Sequence, residues 1–124
     1  TPVRVEAQAH DRHVATVSHL PHVLAAALVL AGKSLESSDL AGGSWRDMTR
    51  VGGVDPELWT QIMMRNRTEL ARTVREYEAS LALMRNMLEA DDRDGLKAVL
   101  VEAAMIKAAQ APSETAKTLK RGRR

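Results

Sequence analysis

All four histidines of this 124-residue chain fall within its first 22 positions, at His10, His13, His19 and His22. The pairs His10/His13 and His19/His22 are each three residues apart, which puts their members on one face of a helix. Imidazole is the side chain whose charge is most easily tuned near neutral pH. Three chemistries compete for such pairs. Zinc binding needs a further ligand, and only Asp11 stands near. Capping or packing beside a kinked helix needs no ligand at all. The third reading is a polar pocket wall. The run Ser18-His19-Leu20-Pro21-His22 favours it, because an interior proline frees backbone groups where two imidazoles and a hydroxyl converge.

A second cluster is Arg46, Asp47, Thr49 and Arg50, bracketed by Gly42-Gly43 and Gly52-Gly53 and preceded by Trp45. An arginine- and aspartate-rich segment is ordinarily a solvated surface. The glycine brackets and the tryptophan argue for a defined loop instead. Arginine stays charged and offers a planar fork that fits a carboxylate in two places, so a carboxylate clamp is plausible chemistry, with Asp47 holding Arg46 or Arg50. Trp59, just after Asp55-Pro56, packs in a core or forms a pocket wall. Neither G-x-G-x-x-G nor G-x-x-x-x-G-K occurs, so no dinucleotide or P-loop turn is expected. Ser18 lies beside His19 without an orienting acid, which leaves no credible nucleophile constellation.

The elements that must position these residues read as helices. Ala, Leu, Met, Arg and Glu dominate, Phe is absent, and Tyr77, Trp45 and Trp59 complete the large aromatics. Strand formers are scarce, which predicts an all-α fold. Residues 1–6 alternate weakly, as an extended lead-in or the end of a strand would. Helical patterning runs from Ala7 to Gly32, with a kink or break expected near Leu20 because of Pro21. Ala25, Ala26 and Ala27 allow another helix close approach. Ser34 to Leu40 reads as a short helix, and the glycine-bracketed segment as a loop with at most one helical turn. Asp55-Pro56-Glu57 starts a helix, with Asp as the cap and Pro at its first position. Leu58, Ile62, Leu70, Val74, Tyr77, Leu81, Met84 and Leu88 carry that helix to about Ala90. Asp91, Asp92 and Asp94 mark a turn. A last helix spans Gly95 to about Ala109, and Pro112 closes it.

Lys117, Lys120, Arg121, Arg123 and Arg124 hold five of the 18 basic residues. Without residues 117–124 the balance is 13 basic against 16 acidic. The basic tail is therefore read as solvated and disordered, and no nucleic-acid partner is expected. Cysteine is absent, which excludes disulfides and thiolate metal sites and fits a reducing cytoplasm. The longest apolar run, Val23 to Ala31, is far short of the roughly 20 residues that cross a bilayer, so no membrane span is expected. No charged segment precedes an apolar stretch at the N-terminus, as it would in a signal peptide. The chain opens on Thr1 rather than Met, as a processed or excised piece would.

In order and spacing, His10-Asp11, Ser18-His19-Leu20-Pro21-His22, Gly42-Gly43-Ser44-Trp45-Arg46-Asp47-Met48-Thr49-Arg50 and Asp55-Pro56-Glu57-Leu58-Trp59 resemble the C-terminal half of the prephenate dehydrogenases, a family that includes arogenate dehydrogenases. The resemblance covers roughly residues 7–90. Its specific part is S-H-L-P-H together with G-G-x-x-R-D-x-T-R. It implies a helical bundle of the 6-phosphogluconate dehydrogenase C-terminal type over residues 1–111, with a tail over 112–124. It also implies a Rossmann domain, absent from this chain, that binds NAD or NADP. The substrate, prephenate or arogenate, lies between the two domains and undergoes oxidative decarboxylation in tyrosine biosynthesis.

Carried over position by position, Arg50 is similar to the arginine that holds the substrate carboxylate, and Asp47 to the acid in its ionic network. His19 and His22, with Ser18, match the pocket motif. His10 matches the family's helix histidine, and Trp59 a tryptophan near the pocket. The hydroxyl-activating histidine has no counterpart here and is expected upstream of Thr1. No cofactor-binding or metal-binding residue is expected in this chain. The resemblance further implies a cytoplasmic homodimer, with the long helix from Pro56 and the kinked N-terminal helix at its interface. The alternative is a helical dimerisation or regulatory module without catalysis. Either way, the 124 residues alone are expected to be inactive.

Overall fold

A computed structural model describes residues 2–33 and 42–110. The expected short helix at 34–40 and the tail at 112–124 lie outside the described residues. Two compact units make up the chain, Thr1–Glu78 and Ala79–Arg124. Every element among the described residues is helical.

In the first unit, α1 spans Pro2–Val14 and α2 spans Leu20–Ala31, joined by a π-helical segment, Ala15–His19. Helix therefore begins at Pro2, where the sequence suggested an extended lead-in. Proline at a first helical position loses no hydrogen bond and supplies a helical φ, so it starts a helix rather than blocking one. The disturbance expected from Pro21 takes a defined form. Pro21 has no N–H, and its ring crowds the preceding turn. The chain widens there, and the Leu20 N–H reaches back to the Ala15 carbonyl. The backbone stays helical through the proline. The continuous segment Glu6–Ala31 contains an 18-residue window of mean hydropathy 1.8, only 22% of it buried, and by length and composition it could cross a membrane. The expectation based on the longest uninterrupted apolar run missed this, because helix continues through His19, Pro21 and His22.

The glycine-bracketed segment is also more ordered than expected. It forms α3, Gly43–Thr49, followed by a 3₁₀ turn, Arg50–Gly53. The Thr49 hydroxyl donates to the Trp45 carbonyl at 2.7 Å. Two glycines explain why this segment docks on α2. A Cβ at Gly52 would lie 3.1 Å from the Val29 side chain and 3.2 Å from the Ala25 carbonyl oxygen. A Cβ at Gly32 would collide with the Trp45 ring. Of the three alanines, Ala25 is almost fully buried and permits the close approach of the 3₁₀ turn, while Ala26 and Ala27 face solvent.

Asp55 caps α4, Pro56–Arg65, by accepting from the Glu57 N–H at 3.0 Å. The single long helix read from periodicity is two. Asn66 leaves helical geometry at φ −115 and ψ 30, and α5 begins afresh at Arg67, running to Glu89. The core of the first unit is small: Ala15, Leu20 and Leu70, with Val23, Leu24, Met63 and Val74 packed around them.

In the second unit, α5 ends in a turn where Asp91 takes φ 53, one of the few left-handed positions open to a non-glycine. Asp92 N–H reaches the Met87 carbonyl at 2.8 Å, the long-range bond of a Schellman end. The Asp92 carboxylate then caps α6, Arg93–Gln110, through the Gly95 N–H at 2.9 Å. Leu81, Leu83, Leu88, Leu100, Val101, Met105 and Ile106 all stand exposed.

Candidate functional site

The π-helical segment and the first turn of α2 aim the histidine pair. His19 is buried, and His22 is half-buried one turn later. Both meet Trp59, which α4 delivers from its capped start. The His22 ring stacks on the indole with centroids 3.5 Å apart and planes at 16°. His19 meets the same indole edge-on, at 6.4 Å and 82°. Aromatic geometry of this kind fixes both rings beyond what burial alone would. Trp59 is thus a wall against the histidines rather than a member of the apolar core.

The two imidazoles differ in tautomer. His22 Nδ1 lies 2.9 Å from the Ser18 carbonyl oxygen. A carbonyl only accepts, so Nδ1–H donates and Nε2 keeps its lone pair in the neutral ring. Ser18 therefore contributes through its backbone, where the sequence suggested its hydroxyl. His19 Nδ1 lies 3.3 Å from the side-chain amide of Asn66. Burial, and next the neighbouring His22 charge, lower the His19 pKa from its ordinary value of 6.5. His19 is accordingly neutral at pH 7.

An open cleft of about 280 Å³ is lined by His10, Asp11, Val14, His19, Ile62, Arg65 and Asn66. It brings His10 and His19 together, one turn of α1 and the π segment apart. Sequence reasoning missed Asn66 and Arg65 here. The signal was available for Asn66: a weak helix former among stronger ones, within the seven residues between the periodic positions Ile62 and Leu70.

Arg50 and Asp47 sit apart from the stacked rings. Both are exposed, Arg50 opening the 3₁₀ turn and Asp47 lying on α3. Among the described residues no ion pair joins Asp47 to Arg46 or Arg50, so the expected brace is not formed within this chain. Helix geometry sends the adjacent Arg46 and Asp47 side chains in different directions, whereas Asp47 and Arg50 have the spacing of a shared face and are both left in solvent. What holds Arg50 in place is backbone: the 3₁₀ turn docked through Gly52 on α2, the helix that carries His22. Among the described residues no three His, Asp or Glu side chains gather as a metal would require. The elements offer a flat aromatic wall with hydrogen-bonding imidazoles and, apart from them, an exposed guanidinium with no ion pair among the described residues.

A family model described as the dimerization domain of prephenate dehydrogenase matches residues 6–102. A cyclohexadienyl dehydrogenase of Zymomonas mobilis is 35% identical over 98 residues, which cover 74% of this chain and 33% of that protein. Among solved structures, Synechocystis arogenate dehydrogenase superposes with a TM-score of 0.76 at 28% identity, over 83% of this chain and 40% of that one. Prephenate dehydrogenase from A. aeolicus, in complex with hydroxyphenyl propionate and NAD+, gives 0.74 at 26% identity, over 84% and 38%. The chain spans about a third of the length of the curated relative it matches.

Proposed function

This chain belongs to the prephenate dehydrogenase family, and from that premise we propose that it is the substrate-side and dimerisation part of an enzyme that oxidatively decarboxylates prephenate or arogenate. The observation that carries the reading is the Trp59 indole stacked on His22 and met edge-on by His19. A cyclohexadiene ring with carboxylate groups needs a flat apolar wall, fixed hydrogen-bond partners and a cation. Trp59 supplies the first, His19, His22 and His10 the second, and Arg50 the third, with the Ser18 carbonyl orienting His22 and Asp47 on the neighbouring α3. Closing a cleft over these groups would exclude water and strengthen each polar contact.

NAD(P) would be the hydride acceptor in the complete enzyme. Nothing among the described residues fits a dinucleotide: they contain no strand–turn–helix and no glycine-rich phosphate turn. We assign its binding, and the hydroxyl-activating base, to a domain outside these 124 residues. The role of this chain is to bind and orient the substrate. Its exposed apolar residues on α5 and α6 are assigned to a homodimer interface, in addition to the helix faces suggested by sequence. The cytoplasm is the compartment such a cysteine-free biosynthetic enzyme would occupy.

His22→Ala in the complete enzyme tests the reading. The substrate KM is expected to rise by roughly tenfold, since losing one hydrogen-bonding aromatic contact costs about 1–2 kcal/mol. The KM for NAD(P) should stay unchanged. Equal changes in both, or none in either, would contradict a substrate site at the indole.

A further inference from the structure

We infer that Asn66 is a positioning residue that sets the tautomer of His19, so that His19 meets its ligand as an Nε2–H hydrogen-bond donor. The inference rests on the substrate site proposed above and goes beyond it to the protonation of one atom. Three observations carry it. First, Asn66 interrupts the helix between α4 and α5, at φ −115 and ψ 30, so its side chain is not constrained to the regular helix face. Second, its Nδ2 lies 2.8 Å from the Asp11 carbonyl oxygen, on an element 55 residues away in sequence. A backbone carbonyl cannot donate, so the atom facing it must be the amide NH2, and the orientation of the amide follows without assumption. Third, the same NH2 lies 3.3 Å from His19 Nδ1.

An NH2 has only hydrogens to offer. Its first goes to Asp11, and its second therefore faces Nδ1, which must accept. A neutral imidazole carries one proton, so that proton sits on Nε2. His22 is fixed the opposite way by the Ser18 carbonyl. Two imidazoles three residues apart, both against one indole, are thereby given complementary hydrogen-bonding character. His19 donates and His22 accepts from Nε2. A ligand with a carboxylate oxygen at one place and a hydroxyl at another satisfies both; a ligand with two acceptors does not. The backbone break at Asn66 is then functional: an uninterrupted helix would place a different side chain direction at this position and leave Nδ1 without its donor.

The tautomer can be read directly in the 124-residue chain labelled with 15N-histidine, by long-range proton–nitrogen correlation above pH 7. His19 is expected to show protonated Nε2 and bare Nδ1, and His22 the reverse. Asn66→Ala should move His19 to a mixture, and Asn66→Asp should invert it, because a carboxylate accepts from Nδ1–H. In the complete enzyme Asn66→Ala should raise the substrate KM severalfold with the KM for NAD(P) unchanged. A His19 protonated on Nδ1 in the unsubstituted chain overturns the inference, and this needs no variant to fold. So does an unchanged tautomer in folded Asn66→Ala, or a changed tautomer with unchanged substrate KM. The tautomer measurements use no substrate, so they stand or fall apart from the His22→Ala test of the proposed function.

Discussion

The two units of the chain differ in what they bury: among the described residues, both leave large apolar side chains exposed, and only the first has buried ones. In the first, Ala15, Leu20 and Leu70 are buried, and the core they form anchors the π-helical turn and the start of α2. That small core is what allows His19 to be held buried and edge-on to Trp59. In the second, apolar side chains on α5 and α6 are left in the open, Leu88 at 67% and Met105 at 68% exposure. Large apolar side chains left exposed on both helices are candidates for an association surface. A small buried core suffices to fix polar side chains in the first unit, although Val17 and Leu30 there are as exposed as the apolar residues of the second.

The largest expected effect comes from breaking the first region. Leu70→Ala should destabilise the chain by about 2–5 kcal/mol, the range for truncating a buried leucine. A shift of the urea midpoint, with loss of the His19–Trp59 signals, would check it. If Leu70→Ala unfolds no more easily than the unsubstituted chain, Leu70 is not the core residue its burial implies.

The second region should respond differently. Leu100→Glu with Met105→Glu should weaken self-association by at least tenfold, about 1.4 kcal/mol or more, without disturbing the histidine cluster. Sedimentation equilibrium at micromolar concentration measures it. An unchanged dimer would remove this face from the interface and return the assignment to the α1–α2 and α4–α5 faces.

The smallest effect is on pH dependence and belongs to His19. Its folded pKa is lowered, by burial and then by His22, so the fold favours the neutral ring. The stability this contributes is complete above the unfolded value of 6.5 and is lost as pH falls through the lowered folded value. The chain should therefore have a lower urea midpoint at pH 5 than at pH 7.5, and His19→Gln should flatten part of that slope. An identical slope in His19→Gln would place the protonation elsewhere.

Much of this was legible in the sequence, for identifiable reasons. The all-α fold followed from composition, and the Asp55 cap from a local hydrogen bond that any Asp-Pro-Glu start can make. The disturbance at Pro21 followed from a missing N–H, although its resolution as a widened turn did not, since that depends on how the Ala15–Leu20 backbone packs. The contact of Trp59 with His19 and His22 joins positions 37 or more residues apart in sequence, and periodicity carries no information about such a pairing. The break at Asn66 had a local signal, but the partners of its side chain, Asp11 and His19, are 47 or more positions away and leave no local trace. The order of α3 was hidden because Gly42, Gly43, Gly52 and Gly53 were read as loop markers, when Gly52 serves instead as a point of close approach. The lack of an Asp47–Arg50 ion pair among the described residues could not be foreseen, because their spacing permits one and an exposed pair gains little by forming.

We propose that this chain supplies the carboxylate-binding side of the substrate site, with Arg50 as its cation. Calorimetric titration of the complete enzyme with hydroxyphenyl propionate, for the unsubstituted protein and for Arg50→Ala, tests it most directly. A loss of roughly ten- to a hundredfold in affinity is expected, matching the about 1.5–3 kcal/mol of hydrogen bonds to a charged group, with NAD+ affinity unchanged. Unchanged affinity for the carboxylate ligand in Arg50→Ala would contradict the account.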